Sequence, residues 1–183
     1  FFGYRQNSRS THHHRAYYMR TCRAVSLLKI KNLSGLKKEI ARLKARGKRI
    51  VFTNGCFDIL HYGHVKYLED AKRKGDILVV AVNRDASIRR IKGKKRPIIN
   101  EADRARIIAG LASVDYVVLF KEDTPLEVIK LTKPDILVKG ADWNRDNIAG
   151  ADFVKTIGGR VSTINLVKGR STTALIKKIA KSF

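Results

Sequence analysis

The chain has 183 residues, enough for one domain with a substantial core and too few for two domains of ordinary size. Its 39 Lys and Arg residues outnumber its 16 Asp and Glu residues, and the resulting net charge of +23 favours anionic ligands. Two cysteines exclude a disulfide-rich scaffold. No apolar run approaches the roughly 18–20 residues that span a bilayer, so we expect a cytoplasmic protein without a membrane partner.

The first 25 residues differ from the rest of the chain. Residues 1–25 contain scattered arginines and serines, three consecutive histidines at 12–14, no acidic residue and no apolar periodicity. Such a composition resembles an organellar transit peptide, although a translation artefact or an artificial leader fits equally well. We therefore predict a basic, disordered leader over residues 1–25 and one folded domain over residues 33–183.

A helix and a buried strand are predicted at the start of the folded domain. Apolar residues recur at helical spacing within residues 33–46, with Ser34 as the predicted N-cap and Gly47 as the C-terminal stop. The apolar, β-branched run at residues 50–52 then predicts a strand, and a second helical pattern covers residues 65–71.

Four further strands and the helices between them predict the fold class. Apolar runs predict strands at 77–82, 114–120, 136–138 and, more weakly, 161–167. Helical patterns lie between them at 100–111 and 124–131, and the second begins with a predicted capping box at Thr124, with Pro125 in the first helical position. This alternation predicts an α/β fold, a single Rossmann-like domain with a five-stranded parallel sheet flanked by helices. Ligands of such sheets bind beyond the carboxyl ends of the strands.

The turn after the first predicted strand, residues 53–64, carries the strongest indication of chemistry, and we call it the phosphate turn. Gly55 and Gly63 have no Cβ, so backbone and ligand can approach closely there. His61 and His64 are three residues apart at a helix start and can direct their ring N–H groups at the same oxygens. With free amides and the positive end of the helix dipole, they predict a site that stabilises charge during phosphoryl or nucleotidyl transfer. The alternative is that both are ordinary polar residues at a helix start, and no further ligand has the spacing of a metal site.

Several segments in one order resemble the cytidylyltransferase-like nucleotidyltransferases, whose signature is H-x-G-H after the first strand. The signature here is His61-Tyr62-Gly63-His64, and the resemblance runs from about residue 33 to residue 179. The other matching segments are residues 52–60, 82–85, 92–93, 96–97, 122–125, 134–140 and 169–173. Within the family they are most similar to the D-glycero-β-D-manno-heptose 1-phosphate adenylyltransferases, the ADP-heptose synthases. One departure is Ala141, which replaces a glycine usual in their Lys-Gly-Gly-Asp segment.

The resemblance implies a reaction and a set of site residues. ATP and D-glycero-β-D-manno-heptose 1-phosphate would give ADP-heptose and pyrophosphate, with Mg²⁺ bridging the phosphates. The implied catalytic residues are His61, His64 and Lys92. The implied nucleotide-binding residues are Thr53, Asn54, Gly55, Phe57, Asp58, Gly63, Lys139, Gly140, Asp142, Trp143, Ser171, Thr172 and Thr173. The implied substrate-binding residues are Asn83, Asp85, Arg96 and Arg104.

Some of these residues also have a purely structural interpretation. Arg104 could form a structural salt bridge, and Trp143 could serve only in packing. Ser171 could cap the helix predicted over residues 174–179 while also contacting phosphate. Asp58, the one nearby candidate ligand for magnesium, could merely brace the phosphate turn.

Residues 92–96 are the densest basic cluster of the folded domain, and we call them the basic loop. The resemblance implies that Lys92 and Arg96 belong to a mobile loop that closes over bound phosphates. Such a loop adds positive charge once substrate is bound. Lys94 and Lys95 are instead predicted to be solvated.

Two other functions remain alternatives. A glycerol-3-phosphate cytidylyltransferase shares H-x-G-H and a similar Ser-Thr-Thr element, and the choice of base depends on a few contacts that the sequence does not resolve. A non-enzymatic, basic nucleic-acid-binding module would show affinity that falls steeply with salt and survives the loss of His61. We expect ATP and a sugar phosphate as partners and no nucleic acid, because the basic residues are scattered and no recognised nucleic-acid module appears. A homodimer is left open as the oligomeric state.

Overall fold

Strands and helices alternate along the chain as the apolar pattern predicts. The computed structural model describes residues 26–143 and 148–182, so the predicted leader at 1–25 lies outside the described residues. The strands are β1 (Ile30–Lys31), β2 (Ile50–Gly55), β3 (Ile77–Asn83), β4 (Tyr116–Phe120), β5 (Ile136–Gly140) and β6 (Arg160–Ile164). The helices are α1 (Leu33–Lys44), α2 (Tyr62–Lys72), α3 (Asp85–Lys92), α4 (Glu101–Ala109), α5 (Leu126–Thr132), α6 (Ala151–Thr156) and α7 (Thr172–Ala180). None of these helices has the length and apolar content needed to cross a membrane.

The six strands of the described residues form one parallel sheet in the order β1-β4-β3-β2-β5-β6. The order reverses at β2, because β3 lies on one side of it and β5 on the other, and a crevice opens there beyond the carboxyl ends. The α/β class and the flanked parallel sheet are confirmed, but the prediction of five strands is wrong. The sixth strand, β1, has only two residues, too few to give an apolar run, and it pairs Ile30 with Val117 at the sheet edge.

Two apolar layers cover the faces of the sheet. Val80 and Val82 of β3 pack on the side of α2 and α4, whereas Val79 and Ala81 pack on the side of α1 and α5. Successive strand side chains point to opposite faces, so a strand covered on both faces needs an apolar residue at every position. Full burial of a side chain such as Leu68 contributes about 1.5–3 kcal/mol, and the sum over both layers holds the strand ends in place.

Two predicted helix caps are wrong. The N-cap of α1 is Asn32 rather than Ser34, because the Asn32 side chain accepts a hydrogen bond from the Gly35 amide at 2.7 Å. The predicted capping box at Thr124 does not form, since α5 begins one residue later than predicted and Pro125, in the N-cap position, has no side-chain acceptor. Gly47 has a φ of 73° and donates to the Lys44 carbonyl, so the predicted stop does lie in the turn after α1.

Three aspartates close the amino ends of the central strands. Each precedes a strand by one residue and exchanges two hydrogen bonds with the backbone of one residue of the neighbouring strand or just before it. The pairs are Asp76 with Arg49, Asp115 with Leu78, and Asp135 with Ile50. Each carboxylate also lies beside a cation, respectively Arg49, Lys72 and Lys44. The aspartates thereby satisfy backbone amides that would otherwise lack a partner at the sheet edge.

Candidate active site

A cleft opens beyond the carboxyl ends of β2 and β5, where polar side chains from four segments face each other. The segments are the phosphate turn, the basic loop, the end of β5 and the start of α7. Most residues that the sequence predicts for the site line this cleft: Asn54, Gly55, Phe57, Asp58, His61, Gly63, His64, Lys92, Arg96, Lys139, Gly140, Asp142, Trp143, Ser171, Thr172 and Thr173.

His61 and His64 form the centre of the cleft wall. His61 occupies the N-cap position of α2 with an extended backbone, and His64 follows in the first helical turn. Their rings stack with centroids 3.8 Å apart and an interplanar angle of 18°. The edge of the Phe57 ring meets His64 at a centroid distance of 5.3 Å. Two donors on one helix face can therefore serve the same anion.

The surroundings of both imidazoles lower their pKa values. Burial, together with the charges of His61 and Lys92, lowers the pKa of His64 from 6.5 to about 4. Burial, together with the charge of Arg170, lowers the pKa of His61. Two stacked rings that are partly buried beside other cations resist protonation. A bound anion would reverse part of this shift, since a nearby opposite charge favours the protonated form.

The two glycines of the phosphate turn make room for protein side chains. A Cβ on Gly63 would lie 3.0 Å from His61 Cε1 and 3.2 Å from the Cβ of Arg170. A Cβ on Gly55 would lie 3.0 Å from Cε2 of Phe57, whose backbone has an unusual φ of 45°. A side chain at either position would therefore crowd His61 or Phe57, and the predicted close approach of a ligand to these glycines stays a prediction.

Lys139 and Trp143 line the cleft at the carboxyl end of β5 and just after it. The Lys139 side chain is buried, donates to Asn54 Oδ1 and places its Nζ 4.9 Å from the centroid of the Trp143 ring. Burial lowers the pKa of Lys139 from 10.5 to about 8, although the charge of Asp142 opposes that shift. Trp143 is 50% exposed, so it lines the cleft without being part of the core.

The start of α7 supplies hydroxyl and amide groups. Ser171 occupies the N-cap position, and its Oγ accepts from the Ala174 amide at 3.1 Å. That hydroxyl retains its own hydrogen as a donor, as do the hydroxyls of Thr172 and Thr173. Together with the positive end of the helix dipole, these groups favour an anion.

The basic loop joins the cleft from the side of α3. Lys92, the last residue of α3, is exposed and lines the cleft. Arg96 donates from Nε to Asp58 Oδ2 at 2.6 Å, and Asp58 also accepts from the Ile98 and Ile99 amides at 2.8 and 2.9 Å. Lys94 and Lys95 are exposed and do not line the cleft, in agreement with the prediction that they are solvated. The Asp58 carboxylate therefore braces the turn, as the alternative interpretation stated.

Comparison with known proteins identifies the family. The cytidylyltransferase-like family model matches residues 52–177, a span that begins in β2 and includes the phosphate turn, the basic loop and most of α7. The chain belongs to the cytidylyltransferase-like family. The family predicted from the motifs is thereby confirmed.

Two curated relatives are more than half identical to this chain over the matched residues. The bifunctional protein HldE of Geobacter metallireducens is 57% identical over 155 residues, which are 85% of this chain and 32% of that protein. The bifunctional protein HldE of Citrifermentans bemidjiense is 58% identical over the same shares. The chain thus spans about a third of the length of the curated relatives it matches.

Two solved structures share the fold. The lipopolysaccharide core biosynthesis protein of Thermoplasma volcanium is 36% identical with a TM-score of 0.56, over 68% of this chain and 100% of that one. Pantoate-beta-alanine ligase of Francisella tularensis has a TM-score of 0.58 over 81% of this chain and 72% of that one, but at 15% identity it shows the fold alone.

The structure places four predicted site residues of this family member outside the cleft. Thr53 is buried and shares a hydrogen bond of 2.7 Å with the Tyr67 hydroxyl, because its side chain points to the face of the sheet opposite to that of Asn54. Asn83 donates to Ser87, and Asp85 pairs with the buried Arg104. Arg104 does not line the cleft, and the structural salt bridge considered as the alternative to substrate binding is present.

The sequence did not single out several residues that line the cleft. Arg170 directly precedes the predicted Ser-Thr-Thr element, and its positive charge lowers the pKa of His61. Its position next to that motif could have indicated that Arg170 lines the cleft. Leu166 and Val167 were assigned to a strand over 161–167, but β6 ends at Ile164 and the chain then leaves the sheet to line the cleft. Apolar pattern alone does not distinguish the end of an edge strand from an apolar loop.

Proposed function

We propose that this chain transfers the adenylyl group of ATP to D-glycero-β-D-manno-heptose 1-phosphate, giving ADP-heptose and pyrophosphate. The single observation that carries the proposal is the stacked pair of histidines at the start of α2, in one cleft with cationic and hydroxyl groups. Membership of the cytidylyltransferase-like family supports nucleotidyl transfer. The motifs that resemble heptose 1-phosphate adenylyltransferases, and the similarity to bifunctional proteins HldE, support the choice of acceptor.

The chemistry needs charge stabilisation more than proton transfer. An oxygen of the sugar 1-phosphate attacks the α-phosphorus of ATP in line, a new P–O bond forms, and the bond to the β-phosphate breaks to release pyrophosphate. The attacking phosphate oxygen is already anionic, so no side chain has to remove a proton from it. His61 and His64 donate ring N–H groups to the oxygens of the α-phosphate, where negative charge is redistributed in the transition state.

We propose that the residues around the histidine pair bind different parts of ATP. Lys92 and the hydroxyls of residues 171–173 hold the leaving pyrophosphate, with the amides at the start of α7. Lys139 and Trp143 bind the part of the nucleotide that enters beyond β5. Each group binds an anion or an aromatic face, which suits a triphosphate substrate better than a neutral one.

In the proposed reaction, magnesium enters the cleft bound to the phosphates of ATP. Among residues 26–143 and 148–182, no three His, Cys, Asp or Glu side chains come together in a way that could hold a metal ion. Asp58, the one candidate that the sequence offered, is 2% exposed and accepts three hydrogen bonds from protein groups. The described residues therefore do not fit a resident metal site.

The test measures pyrophosphate release from each nucleoside triphosphate with heptose 1-phosphate and, in parallel, with glycerol 3-phosphate. His61→Ala removes one imidazole, and Tyr62→Phe is the matched control because Tyr62 is 58% exposed and does not line the cleft. Release with ATP and heptose 1-phosphate, lost in His61→Ala and kept in Tyr62→Phe, would support the proposal.

The other outcomes point to the two alternatives. Release with CTP and glycerol 3-phosphate would keep the transfer chemistry and replace both substrates. No pyrophosphate release with any pair of substrates, together with salt-sensitive nucleic-acid binding that His61→Ala retains, would overturn the proposed enzymatic function. That result would favour a basic nucleic-acid-binding module.

A further inference from the structure

Arg104 is a charged side chain that is fully buried and yet does not line the cleft. Its Nε donates to the Ile99 carbonyl at 2.9 Å, and its Nη1 donates to the Cys56 carbonyl at 2.6 Å. Its Nη2 donates to the Asn83 carbonyl at 2.8 Å and to Asp85 Oδ1 at 2.7 Å. Three of these four acceptors are backbone carbonyls, so the guanidinium fixes the main chain in addition to balancing one carboxylate.

The acceptors of Arg104 lie on both sides of the basic loop. Asn83 and Asp85 lie at the junction of β3 and α3, the helix that ends at Lys92, and Ile99 lies three residues after Arg96. The segments before and after the basic loop are thus both hydrogen-bonded to the guanidinium of Arg104, a planar group whose donors have a fixed geometry. The remaining acceptor, Cys56, belongs to the phosphate turn.

Asp58 makes a second connection between the same two segments. Its carboxylate is buried and accepts from Arg96 and from the amides of Ile98 and Ile99. Cys56 and Asp58 flank Phe57, whose ring edge packs on His64. A shift of either connection would therefore move Phe57, and with it the ring of His64, relative to Lys92.

We propose that Arg104 and Asp58 are positioning residues that set the distance between the basic loop and the histidine pair without touching substrate. This inference rests on the proposed function, since it concerns where the loop cation stands during transfer. A displacement of about 1 Å at a reacting centre can cost on the order of 100-fold in rate. Loss of the connection is expected to lower turnover more than binding, because the charges must match the transition state most closely.

The first test needs no substrate and therefore separates this inference from the choice of acceptor. Arg104→Lys keeps the charge but loses the planar fork, so it cannot reach all four acceptors. Arg106→Lys is the matched control, because Arg106 lies on the same helix and is exposed. We expect the imidazole NMR signals of His64 to move in Arg104→Lys and to stay unchanged in Arg106→Lys. Unchanged His64 signals in a folded Arg104→Lys protein would overturn the proposal.

Asp58→Asn is the second variant, for the case in which Arg104→Lys does not fold. Asparagine retains an acceptor oxygen for the loop amides and loses the charge that holds Arg96. The same movement of the His64 signals is expected in the folded Asp58→Asn protein. Signals identical to those of the unmodified protein would count against the proposal.

The kinetic test is a double-mutant cycle with the loop cation. We expect Arg104→Lys and Asp58→Asn each to lower turnover by about 10–100-fold while KM for ATP changes less than about threefold. Lys92→Ala should lower turnover strongly in the unmodified protein and much less in the Arg104→Lys background, because a misplaced loop no longer delivers that charge. Independent, multiplicative effects of the two substitutions would show that Arg104 does not act through the loop.

Discussion

The polar groups at the two ends of the sheet lie in opposite electrostatic environments. At the amino ends, Asp76, Asp115 and Asp135 each exchange two hydrogen bonds with a neighbouring backbone segment and lie beside a cation. At the carboxyl ends, His61 and His64 are stacked and partly buried among other cations, and their pKa values are lowered. One end stabilises the strands with satisfied groups, while the other holds groups in an environment that only a bound anion would complement. Substitutions at the two ends should therefore have separable effects on stability and on activity.

The largest expected effect is on activity, from a change at the carboxyl ends. His64→Gln removes an imidazole that stacks on His61 and leaves a polar group in its place. We expect turnover to fall by about 100–1,000-fold, the usual cost of removing one donor to transition-state charge. Pyrophosphate release under saturating substrates measures this, with urea unfolding as the control for folding. A loss of less than tenfold would mean that the histidine pair does not carry the transition state.

The next largest effect is on stability, from a change at the amino ends. Asp115→Ala removes the acceptor for the Leu78 amide and the partner of Lys72, bonds of 2.6 Å each. We expect the free energy of unfolding to fall by about 1–3 kcal/mol, because a partly buried amide loses its acceptor, while turnover stays within twofold. Asp152→Ala is the control, since the Asp152 side chain is 97% exposed and should cost almost nothing. Equal losses in both variants would refute the role assigned to the amino-end aspartates.

The same contrast explains which features could be predicted from the sequence. The strand at 77–83 was recognisable because burial on both faces demands an unbroken apolar run, whereas the two residues of β1 give no pattern at all. His61 and His64 were recognisable because residues three apart on one helix face must be neighbours. Arg104 was assigned to substrate because the resemblance to the family implied that role, and the structural salt bridge was its alternative. Its four acceptors come from segments that only the tertiary fold brings together.

A smaller effect is expected on the pH dependence of stability. The unfolded chain protonates His64 near pH 6.5, whereas the folded protein does so only near pH 4, because burial lowers the pKa. Between these values the unfolded state binds more protons, so the free energy of unfolding decreases as the pH falls through this window. We expect His64 to account for on the order of 1–2 kcal/mol of that decrease, since its ring is partly exposed. Urea unfolding at several pH values should show a shallower decrease in His64→Gln, and parallel curves would contradict the pKa shift.

The smallest effect is expected at Ala141, where the chain departs from the glycine usual in heptose 1-phosphate adenylyltransferases. Among the described residues only Phe57 and Lys133 combine a side chain with a positive φ, so Ala141 does not use a backbone conformation that needs glycine. Its methyl group is exposed, and its amide donates to the Ile164 carbonyl at 2.9 Å. Ala141→Gly should therefore leave the preference among sugar phosphates unchanged and lower the free energy of unfolding by about 0.4–1 kcal/mol through the entropy of the unfolded chain. A change of more than threefold in the relative turnover of two sugar phosphates would instead assign the loop after β5 to the acceptor, and this departure from the usual motif would then bear on specificity.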